Sequence, residues 1–92
     1  MFSIFVHDNF NYMQASEVYK RGDYSTWGLA VIEAQRIVDL CLQEGHKPGM
    51  SSAELYDYYV NFGDDPQIHP VPPGEKFSAW EYAKERSLVW CG

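Results

Sequence analysis

Ninety-two residues with 46% hydrophobic content suffice for one globular core and are too few for two. Thirteen acids against seven bases give a formal net charge of −6 and a pI near 4.8, which leaves no basic footprint for nucleic acid and disfavours anionic membranes. No span approaches the roughly 20 apolar residues of a membrane helix, and Met1–Asp8 has no basic leader region, so the expectation is a single cytoplasmic domain over residues 1–92.

Residues 2–7 open with Phe, Ile, Phe and Val in strand-like alternation, and His7-Asp8-Asn9 supplies turn-forming residues after them. Phe10 to Ser16 reads as a loop carrying aromatics. Glu17-Val18-Tyr19-Lys20-Arg21 reads as a second strand, antiparallel to the first, closed by Gly22-Asp23. Ser25 is the expected N-cap of the longest helix, with Tyr24 and Leu29 placed as a hydrophobic staple. Trp27, Ala30, Val31, Ala34, Ile37, Val38, Cys41 and Leu42 recur at three- and four-residue steps, predicting an amphipathic helix whose stripe packs on the hairpin and supplies most of the core. Gly45 is placed to end it, and Pro48 blocks continuation.

Two later segments repeat one helix-start signature. Met50-Ser51-Ser52-Ala53-Glu54-Leu55 and Phe77-Ser78-Ala79-Trp80-Glu81-Tyr82 both read apolar, Ser, two residues, Glu, apolar, the pattern of a capping box with a staple. They predict helices over about 52–61 and 79–90. Between them, Gly63 ends the first, Asp64-Asp65-Pro66 reads as a turn, and Gln67-Ile68-His69 can form a short edge strand. The fold class is therefore α+β: an N-terminal antiparallel hairpin packed on a long amphipathic helix, followed by two shorter helices with room for a third strand.

Two cysteines do not make a disulfide framework in a chain this small, and no CxxC is present. Cys41 lies on the apolar stripe, where a thiol is buried rather than reactive. No Ser–His–Asp order, phosphate loop or cofactor signature appears, so no cofactor is expected. The polar foci are His7-Asp8-Asn9, which can cap a turn or supply acid–base or metal-ligating groups, and Asp64-Asp65 with His69, which fit neither an EF-hand loop nor H-E-x-x-H. If the two foci meet in space, His7, Asp8, Asp65 and His69 are the candidate metal or small-ligand groups. Seven tyrosines, three of them at 56, 58 and 59, exceed what one core face can absorb. Tyr56, Tyr59 and Trp90 are accordingly candidate interface residues.

Three blocks, VHDNFNYM, NFGDDPQI and FSAWEYAKER, resemble in order and spacing a family of short, uncharacterised bacterial proteins. The resemblance spans nearly the whole chain and carries no activity with it. It implies that a shared site would be sought at Asp8, Asn9, Tyr12, Gly63, Asp65 and Trp80. Two functional expectations stand: a non-catalytic protein-interaction module that binds a second copy as a homodimer or a basic partner, and, from a different class, a small-ligand or metal-binding domain built on His7/Asp8 and Asp64/Asp65/His69.

Overall fold

The structure, a computed structural model, describes residues 1–8 and 18–91, with Asp8 described through its backbone alone. Its elements run β1 (Phe2–Asp8), β2 (Tyr19–Tyr24), α1 (Trp27–Gly45), α2 (Ser52–Phe62), β3 (Asp64–His69) and α3 (Ala79–Cys91). Among the described residues the fold is α+β: one antiparallel sheet in the order β2-β1-β3, with three helices. Among the described residues no helix is long and apolar enough to cross a membrane.

Alternation along β1 sends Ile4 and Val6 into the core, opposite Ile68 and Pro66 of β3. Ser3, Phe5 and His7 take the other face of the sheet. The β1–β2 ladder passes from Ile4↔Gly22 to Phe5↔Lys20, so Arg21 is an extra residue on β2, as in a β-bulge. Its guanidinium reaches Glu33 of α1, which also holds Arg36. β2 thus lies later than Glu17–Arg21. Gly22 and Asp23, expected to close it, sit inside the ladder, where Ser3 donates to the Asp23 carboxylate.

The N-cap of α1 is Thr26 rather than Ser25; its hydroxyl accepts from the Leu29 amide at 3.1 Å. Ala30, Ala34 and Ile37 pack with Ile4, Val6 and Ile68, whereas Val38 and Leu42 pack with Leu55, Tyr59, Ala79 and Ala83. The hairpin therefore receives only the first half of α1. The second half faces α2 and α3, because nineteen residues at 1.5 Å rise outrun a six- or seven-residue strand laid against them. The outward side carries exposed Leu29, Ile32 and Leu40 beside its polar residues, so α1 is not divided cleanly into apolar and polar halves.

Two Pro-Gly turns lead into α2 and α3. Met50 N donates to Lys47 O and Glu75 N to Pro72 O, each at 3.1 Å, with Gly49 and Gly74 at φ +81° and +80°. Pro at the second position and a left-handed Gly at the third make both type II turns. The capping box at α2 is complete: Glu54 N donates to Ser51 Oγ at 3.1 Å, and Ser51 N to Glu54 Oε1 at 3.2 Å. At α3 Ser78 Oγ accepts from Glu81 N at 3.3 Å, while the Glu81 carboxylate pairs with Lys76.

The Asp64-Asp65-Pro66 segment is strand, not turn. It pairs in register with Asp8, His7 and Val6, and an edge strand tolerates the missing proline N–H.

A candidate site where two concavities meet at Trp80

The β1–β3 register answers whether the two polar foci meet: His7 lies directly opposite Asp65, and Asp8 opposite Asp64. Directly opposed residues bring their Cβ atoms to about 5 Å. His69 stays apart, four residues beyond Asp65 on the same strand, or about 13 Å at 3.3 Å per residue. It stands against Phe5 instead, ring centroids 5.9 Å apart. Among the described side chains of the candidate metal set only His7 and Asp65 therefore converge, and the described residues contain no group of three or more His, Cys, Asp or Glu able to hold a metal ion. Asn9 and Tyr12 lie outside the described residues, as do the Phe10–Ser16 loop and the Asp8 side chain.

Asp65 is 7% exposed. Burial raises its carboxyl pKa above the ordinary carboxylate value, partly offset by the Gln67 amide, which donates to Oδ2 at 3.2 Å, and by His7. Asp65, Gln67 and His69 form one side of an open concavity of about 470 Å³, closed on the other by Val71, Phe77, Ser78 and Trp80 at the start of α3.

Trp80 also lines a second, more apolar groove of about 490 Å³ between α2 and α3. Trp80, Lys84 and Leu88 recur every four residues along α3, facing Ala53, Tyr56, Asp57 and Val60 of α2. Tyr56 and Trp80 are half-buried and Leu88 is 58% exposed. Nothing in the sequence reading singled out Leu88 or Val60. Their four-residue spacing from Lys84 and Tyr56 was the available signal.

The interface candidates separate. Tyr56 lines the groove. Trp90 is half-buried at the other end of α3, edge-on to the His46 ring at 5.5 Å. Tyr59 is fully buried, its hydroxyl donating to Asp64 O at 2.6 Å, which withdraws it from any interface. It shares with Leu55 the inward side of α2, four residues on, while Tyr58 turns to Phe62. Gly63 is the C-cap of α2, pressed against the Tyr59 ring. Cys41 is half-buried and accepts from Asp64 N at 3.4 Å. Neither cysteine is in a disulfide. The Ser51 and Ser78 hydroxyls accept from helix amides, and Ser87 donates to Ala83 O.

Comparison with family models, curated proteins and solved structures returns no significant match.

Proposed function

We propose that this chain is a non-catalytic protein-interaction module whose α2–α3 groove receives the apolar side of a partner segment. The observation that carries this reading is the groove itself: half-buried Tyr56 and Trp80 and exposed Leu88 in one concave strip, on a protein of formal charge −6. Apolar anchors flanked by polar residues suit a helix-in-groove mode, with contacts at i, i+3, i+4 and i+7. Asp57 at the groove and the acidic balance of the chain favour a basic partner, since complementary charge speeds encounter and disfavours acidic competitors. A second copy of the chain is the other occupant this reading admits.

The test is fluorescence anisotropy with a labelled amphipathic Leu/Lys helix, compared with an isomer of the same composition whose leucines are dispersed. The patterned peptide should bind the wild type, and Tyr56→Asp or Leu88→Asp should weaken it by about tenfold or more. Sedimentation equilibrium on the same three proteins reads self-association. Equal binding of both isomers, or full association in both variants, overturns the proposal.

A further inference from the structure

The β3–α3 concavity is a different place with a different chemistry. Among its described lining residues the one acidic side chain, Asp65, is more than nine-tenths buried, an unfavourable position for an ionised carboxylate unless it is paired. Among the described residues Gln67 is its single hydrogen-bond donor, and that bond goes to Oδ2. Trp80 and Phe77 stand across the opening, the residue types whose ring faces attract cations. The nearby helix start does not call for an anion. Ser78 caps the Glu81 amide, and Glu81 already supplies negative charge to the first turn while pairing with Lys76 at 3.4 Å.

We propose that this concavity binds an organic cation, a guanidinium or alkylammonium group, which pairs with the Asp65 carboxylate and lays its hydrocarbon part against Phe77 and Trp80. The volume of about 470 Å³ falls within the range of small-ligand sites and accepts a short alkyl chain. His7, opposite Asp65 across the β1–β3 ladder, is the internal competitor for the carboxylate. The proposal is independent of the α2–α3 groove, although Trp80 belongs to both walls.

Butylguanidinium and its neutral isostere butylurea, titrated into the ¹⁵N-labelled protein, separate charge recognition from apolar filling. Butylguanidinium should give saturable shifts at the Asp65 and Gln67 amides and the Trp80 indole, with a dissociation constant of about 1 mM. Butylurea should bind about tenfold more weakly or worse, and Asp65→Asn should remove the difference between the two. Trp80→Leu should weaken butylguanidinium in a chain that keeps its dispersed spectrum, while Leu88→Asp should leave it unchanged. A capped Gly-Arg-Gly tripeptide run in parallel names the source: tighter binding than butylguanidinium assigns an arginine side chain of a polypeptide, weaker binding a free small cation. Equal binding of butylurea, undiminished preference for the cation in Asp65→Asn, or shifts that never saturate would overturn the proposal.

Discussion

Gly45 owes its identity to the ring beside it. Its backbone is ordinary helix, yet a Cβ there would lie 2.1 Å from Tyr58 Cδ1 and 2.7 Å from Cγ, too near the root of that side chain for a small rotation to relieve. Gly45→Ala should therefore cost about 1–3 kcal/mol in urea denaturation through overpacking. In a Tyr58→Ala background the same change should reverse sign and stabilise by about 0.5 kcal/mol, because only the helix preference for alanine remains. An unchanged sign in the double variant would place the constraint elsewhere. Tyr59 offers a simpler case: Tyr59→Phe keeps the packing and removes the bond to Asp64 O, for an expected loss of about 1 kcal/mol. Single residues were legible in the sequence only where their reasons are local. Composition cannot tell that the ring at 59 is buried while that at 56 lines a groove, since that depends on which side of α2 meets α1 and α3.

At the scale of elements, the serines that start α2 and α3 make a controlled comparison. Both accept from an amide three residues on, but only Ser51 is answered by a glutamate bonded back to the cap amide. Ser51→Ala should cost about 1 kcal/mol, and Glu54→Ala should add to the damage at that helix start alone. Glu81→Ala, whose carboxylate points to Lys76, should cost less than Glu54→Ala in thermal melts of the two variants. These helix starts were legible because a capping box is written within four residues. β3 was legible only from Gln67 onward. Its first half, Asp64-Asp65-Pro66, carries turn-forming residues and is held extended by β1, whose paired residues lie 56 to 60 positions earlier and whose hydrogen bonds outweigh local preference. Gly22-Asp23 was misassigned for the same reason, being strand through its pairing with Ser3 and Ile4. The concavities had still less signature, since each is assembled from two elements whose mutual placement no single segment encodes.

Among the described residues two buried clusters are strung along α1, one against the sheet and one against the helices, with Phe77 packed on both. Phe77→Ala should therefore lower stability by about 3 kcal/mol without splitting the melt into two transitions, because Ile37 and Val38 are consecutive residues of one rigid helix. Charge sets the pH response. The folded state raises the Asp65 pKa, so it holds that proton more tightly than the unfolded chain does. The contribution is complete below the unfolded value and is lost as pH rises through the folded one. Asp65→Asn should accordingly be more stable than wild type at neutral pH, with the gap closing in acid. Glu33, held low by Arg36 and Arg21, acts in the opposite sense and is common to both proteins, so the difference between them isolates Asp65. The sheet order β2-β1-β3 has a consequence for the chain as it is made. The first strand to emerge is the central one, and its second edge waits for residues 64–69, after both α1 and α2 have been synthesised. Until then a ribosome-bound chain presents the Ile4–Val6 edge to any extended neighbour. A fragment ending at Phe62 should aggregate where the 92-residue chain does not, and adding a peptide of residues 64–69 in trans should suppress it.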